Sequence, residues 1–387
     1  TPQPTFTPQP TFTPPPAPTE PEERPTPTNT PPDGPIEEEP TLTPTPAPPP
    51  TQAPIEPPVD VLRGEIIWSA SQSPIILNND VQIPSGSALY VEPGVEVRLG
   101  RNVSITVDGG SLVAQGNPDT PVRFVAQTYD RWEAIYGRPG SYIVLEQTEL
   151  SGAGSGGTAI NSVEGELILI GSRLVDNGGA ILVSDSKLEI RQSEISGNDV
   201  PYGAAINADY TFGNSVNVRG NIIAGNRLNE GASSVRIGHT SNFSTLVLDI
   251  QGNTIRGGLS GNLLIDTNGP IEGTIACNTI IDEYLGFSLR TQTPQLPEFA
   301  LQVANNWISW HSPPIKPVYI QPQEGIGRGA ASEFVLDMRN NWWGDESGPY
   351  HPELNPEGKG NAVGENIVFD PWLTEPPGCI PYVDVAP

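Results

Sequence analysis

The chain has 387 residues and a formal net charge of −26. That acidity argues against nucleic acid, whose phosphates need a basic surface, and against docking on anionic lipid. No apolar run reaches transmembrane length, so no membrane insertion is expected.

Residues 1–60 form an acidic Pro/Thr-rich tail. They hold 23 of the 45 prolines, and nine acids stand against Arg24 alone, a net −8. Such a segment has too little apolar surface to offset its ordering entropy. Its Thr-Pro and Pro-Pro steps favour an extended polyproline II conformation. TPQPTF occurs at 1–6 and again at 7–12, which sets Phe6 and Phe12 six residues apart. At three residues per turn both rings fall on one face, as a segment docking on a partner would use them. Composition alone favours the other reading, a glycosylated stalk spanning a cell wall.

Strand-like patterns begin near Val61. EIIWSAS (65–71) and PIILNNDVQI (74–83) come first, followed by strict alternation in ALYVEPGVEVRL and VSITV. Gly, Asn, Asp and Pro punctuate these runs as turns. Eight later segments share one pattern: IVLEQTEL (143–150), LILIGSRL (167–174), LEIRQSEI (188–195), VNVRGNII (216–223), LDIQGNTI (248–255), EGTIACNTI (272–280), LQVANNWI (301–308) and LDMRNNWW (336–343). Their polar residues are Thr148, Ser172, Ser193, Asn221, Asn253, Asn278, Asn306 and Asn341, spaced by 24, 21, 28, 32, 25, 28 and 35 residues. Such a period predicts one supersecondary unit per repeat, stacked on its neighbours, and hence an all-β solenoid over 61–373. A sandwich has no reason to repeat a polar residue once per coil. The polar residue is expected to take the left-handed turn conformation and bond to its counterparts along the axis. The ladder is therefore structural, with the aliphatic residue two positions later turned into the core.

Residues 374–387 read as a C-terminal tail. Cys277 sits in the repeat register and Cys379 in that tail. They are the only cysteines, with no Cys/His cluster for zinc. A disulfide pinning the tail and a pair of free thiols are both open readings.

The opening EIIWSASQSPIILNNDVQIPSGSALYVEPGVEVRL, the following GGSLVAQGNPDTPVRF and the closing NNWWGDESGPYHPELNPEGKGNAVGENIVFDPWL (340–373) resemble bacterial surface proteins. Those proteins have a right-handed parallel β-helix of the pectate-lyase-like type. The resemblance implies such a helix preceded by an extended tail, secreted to the cell surface, and implies no activity.

Pectin-active relatives of this architecture need clustered acids with calcium and basic residues, or paired aspartates. Arg236-Ile237-Gly238-His239 is a faint echo of the hydrolases, without the Asp pair. His239, His311 and His351 lie far apart in register, which argues against a His-based triad. No motif supports calcium, and no cofactor is expected. Arg191, Arg219, Arg256 and Arg339 are expected to line one solvated outer face, three of them two residues before a ladder residue. Of the tryptophans at 307–372, Trp342, Trp343 and Trp372 suit closure of the core, while Trp310 suits stacking on a sugar ring.

These features lead to an expected function: a non-enzymatic extracellular structural protein, a subunit of a cell-surface filament or layer. No amphipathic helix in 51–64 covers the first coil, so association is expected head to tail, with the N-terminal tail docking on a neighbour. A monomeric wall-anchored adhesin binding polysaccharide is the first alternative, and a polysaccharide lyase or hydrolase the second.

Overall fold

The structure is a computed structural model. It describes residues 58–229, 232–241, 243–258, 261–281, 287–291, 299–309, 320–322, 336–364 and 367–381, with backbone only at 261, 291, 299 and 320–322. Phe6, Phe12, Trp310 and His311 lie outside the described residues.

Alternation of apolar and polar residues gives strands that bury one face. Here the strands close into coils that each supply one strand to three parallel sheets. Among the described residues the first sheet has 11 strands, from Val59–Val61 to Ile320–Pro322. The second has 10, from Glu65–Trp68 to Phe299–Ala304, and the third has 10, from Ile75–Leu77 to Trp307–Ser309. The chain is thus a parallel β-solenoid. One short 3-10 turn, Ala70–Gln72, is the only helix among the described residues. The first strand starts two residues before the boundary read at Val61.

The core is a set of in-register columns. Leu89, Leu112, Ile143, Leu167, Leu188, Val216 and Leu248 stack one per coil on the inner face of the second sheet, all essentially buried. Each such side chain contributes about 1.5–3 kcal/mol of apolar burial. Because a coil touches only the coils beside it, stability is a sum of neighbour terms.

The two ends differ. At the trailing end, Leu336–Asp337 pairs with Ile367–Val368, and Asn340 N and Leu373 N bond to Pro371 O (2.7 Å) and Asn341 O (3.0 Å). Met338, Trp343, Val363 and Phe369 are buried beneath this segment. Trp372 packs on Gly348, with its indole N–H donating to Glu346 O at 3.1 Å. At the leading end, the first strands of all three sheets pair on one side only among the described residues.

Candidate functional site

The repeated polar residues sit at the corner between the second and third sheets. From Asn221 on, each backbone N–H and side-chain Nδ2 donates to Oδ1 of the next coil's asparagine. For Asn253 to Asn278 these distances are 3.0 and 2.8 Å. The second Nδ2 hydrogen goes to a carbonyl of the coil before, as from Asn253 to Val218 O at 2.7 Å. Asn221, Asn278 and Asn306 repeat the arrangement, and Asn341 ends it. Each such amide is fully used in linking three coils, and all five asparagines are buried. Earlier coils have less. Thr148 N donates to Ser172 Oγ at 3.0 Å, Ser172 N to Ser193 Oγ at 3.1 Å and Ser193 N to Asn221 Oδ1 at 2.8 Å.

One expectation needs correcting. The left-handed residue is the one before the ladder residue: Gln147, Gly171, Gln192, Gly220, Gly252, Cys277, Asn305 and Asn340 all have φ between 45° and 67°. That residue turns its side chain out of the corner, and the next side chain is thereby directed inward. The rule recurs at the corner between the third and first sheets. There Asp176, Gly197 and Gly225 are left-handed, and Asn177, Asn198 and Asn226 follow them as a second ladder. Asn177 Nδ2 donates to Asn198 Oδ1 at 2.9 Å and Asn198 Nδ2 to Asn226 Oδ1 at 2.9 Å. Sequence reasoning missed this ladder, although an asparagine stands five residues after Ser172, Ser193 and Asn221.

Cys277 occupies one of the outward corner positions and is bonded to Cys379, 102 residues away. The C-terminal segment is thus held at the coil of Asn278.

Part of the charge is absorbed in pairs among the described residues. On the outer face of the third sheet Glu96, Arg123, Glu149, Arg173 and Glu194 succeed one another in register, with Arg173 bonding both Glu149 (3.2 Å) and Glu194 (3.0 Å). Ser196 Oγ–H, ahead of Arg173, holds the Glu194 carboxyl below its usual range. Arg191 pairs with Glu189 and Arg219 with Asp249. Arg339 pairs with Asp337 beside a cavity of about 460 Å³, and thereby lowers the pKa of that carboxyl.

Arg236 and His239 lie on one strand of the first sheet, Ser233–His239, and point opposite ways. Arg236 faces out and bonds Asn207 (2.9 Å), Asp209 (2.7 Å) and Asp266 (3.2 Å). The two carboxylates are two coils apart and share this cation, so they form a brace rather than an acid–base pair. His239 faces in, stacked in register between Tyr210 and Thr267, and its ring nitrogens have no partner among the described residues. Burial lowers its pKa, against the pull of Asp185. His351 is far away, where its Nδ1 accepts from Glu353 N and Leu354 N. Trp343 is buried, Trp342 nearly so and Trp372 partly. No group of three or more His, Cys, Asp or Glu able to hold a metal occurs among the described residues.

Two surface features remain. Phe212 and Phe243 are 67 % and 98 % exposed, on the loops that follow the first-sheet strands of consecutive coils. The leading coil exposes Val59, Val61, Ile67 and Ile76 beside strand edges that are unpaired among the described residues.

No protein-family profile, no curated protein and no solved structure matches this chain.

Proposed function

We propose that the chain is a non-enzymatic extracellular structural protein, a subunit of a cell-surface filament or layer. Its leading edge is covered by a neighbour and its N-terminal tail docks on one. The observation that carries this reading is the leading coil. Three strand edges that pair on one side only among the described residues stand beside four exposed aliphatic side chains, while the trailing end has its own cover. An open, apolar sheet edge is a template for another chain. A contact that joins two different ends and does not close on itself grows into a filament. The non-enzymatic part is supported by the state of the candidate groups: Arg236 is saturated by its acids and His239 is shut in the core.

The test is light scattering and electron microscopy of the full chain. The wild type is expected to form concentration-dependent end-on assemblies. The double variant Val61→Lys/Ile76→Lys is expected to stay monomeric with an unchanged β spectrum, since charge on an edge blocks pairing. Assemblies of unchanged length in that variant, or a wild type that stays monomeric at every concentration, overturn the reading.

Phe212 and Phe243 favour a second reading, a monomeric wall-anchored module that binds polysaccharide. Aromatic faces on adjacent coils offer successive stacking platforms for sugar rings. A monomeric wild type whose polysaccharide binding disappears in Phe212→Ala/Phe243→Ala supports it.

A further inference from the structure

The outer face of a one-sided sheet is expected to be polar, and in the second sheet it changes character along the axis. One outward column runs Ile67, Tyr90, Val113, Val144 and Ile168 in strict register, one residue per coil. The next residue in that column is Glu189, followed by Asn217 and Asp249. Ile67 is 57 % exposed and Tyr90 39 %, Val113 and Ile168 are half-buried and Val144 is 7 % exposed, and Tyr142, outward on the neighbouring column, is 39 % exposed. Strands apolar on both faces belong to sheets covered on both sides. In the first five coils this column has that character, while Glu65, Ser111 and Glu166 stand outward beside it.

We infer that this stripe is the seat of residues 1–19 of a second copy. This rests on the proposed association and names the surface that receives the tail. Residues 1–19 contain no charged side chain, whereas the acids of the tail begin at Glu20. The repeats match in length. A polyproline II turn advances about 9.3 Å, close to two coils at about 4.8 Å each. Phe6 and Phe12 then stand about 19 Å apart, the same as the four steps from Ile67 to Ile168. Tyr90 and Tyr142 are two coils apart, so their rings recur once per polyproline turn, and aromatic-lined surfaces are what proline-rich segments bind. The segment 20–58 is stiffened by proline and acidic. Such a composition favours an extended linker and so delivery to a neighbour.

Two full-length single variants, Phe12→Cys and Val113→Cys, are mixed in equal amounts under mild oxidation and the products are weighed by mass spectrometry. A covalent dimer with one chain of each kind is the expected product. Adding Tyr90→Asn to the Val113→Cys chain is expected to cut its yield about tenfold, which corresponds to about 1.4 kcal/mol. Moving the second cysteine to the polar end of the column, as Glu189→Cys, is expected to lose it. The proposal is overturned if Val113→Cys chains join only each other, or if linkage needs both cysteines in one chain. It is also overturned if no link forms, or if Glu189→Cys links as well as Val113→Cys. The trap reads a dimer whether or not filaments grow. Filaments lost in Val61→Lys/Ile76→Lys, which leaves the stripe untouched, with the trap intact therefore leave the seat standing, whereas filaments that grow without the trap remove the seat alone.

Discussion

The corner between the second and third sheets is built in two chemistries. At Ser172 and Ser193 a hydroxyl accepts one backbone N–H from the coil before, and its own proton returns to a nearby carbonyl, as from Ser172 to Leu145 O at 2.8 Å, while Thr148 Oγ1 donates to Glu146 O. From Asn221 to Asn341 an amide does this and also passes a hydrogen bond to the next amide. The coils joined by hydroxyls are 24 and 21 residues apart, while those joined by amides are 25 to 35 apart. Longer coils carry longer connections between strands, whose closure costs more chain entropy and calls for more restraint. A corner that grips three coils supplies that restraint, whereas the short coils close well with less.

This contrast can be broken most sharply at Asn278. Asn278→Ala strands the Asn253 N–H in a buried corner and takes one bond each from Asn253 Nδ2, Ile250 O and Asn306 Oδ1. A loss of about 3–5 kcal/mol is expected, read as faster hydrogen exchange through the neighbouring coils. Breaking the Cys277–Cys379 bond by Cys379→Ser removes the restraint on a 102-residue loop. It is expected to cost about 2–4 kcal/mol, confined to amides beyond Asn278, as proteolysis of the closing segment would report. Ser172→Ala, on the hydroxyl side, leaves one N–H and one or two carbonyls unmatched and is expected to cost only about 1–2 kcal/mol. If Ser172→Ala and Asn278→Ala cost the same, the distinction between the two corners fails.

The smallest effect concerns pH. Burial holds the folded pKa of His239 below its ordinary value, so the unfolded chain takes up that proton first as pH falls. The stability associated with the neutral ring is fully present above about pH 6.5 and is lost progressively below it. Thermal melts between pH 7 and 5 are expected to show a falling midpoint that flattens in His239→Phe. An equal slope in both proteins removes His239 as the cause.

Much of the architecture was legible because a solenoid repeats its instructions. One polar residue per coil at a fixed place in the strand pattern is a signal that no single segment carries. The left-handed position was misplaced because Asn305-Asn306 and Asn340-Asn341 offer two asparagines side by side, and Gln147, Gln192 and Cys277 are not residues that usually announce that conformation. The second ladder at Asn177, Asn198 and Asn226 was hidden by its shortness, with three asparagines before the pattern passes to Gly258 and Asn262. The stripe of Ile67, Tyr90 and Val113 needed register to appear. Read singly, its strands look like ordinary apolar runs, and only stacking shows that their outer residues align.

The disulfide at Cys277 has a mechanical consequence. A stack of coils comes apart from its ends, as a zip does. At the trailing end the clasp is set back from the terminus, on the coil of Asn278, with the coils of Asn306 and Asn341 beyond it. The last coils are therefore gathered inside a covalent loop. The leading end has no such clasp. Under tension along its axis the protein should pay out chain from the Val59 side first, which gives it a weak end and a strong end.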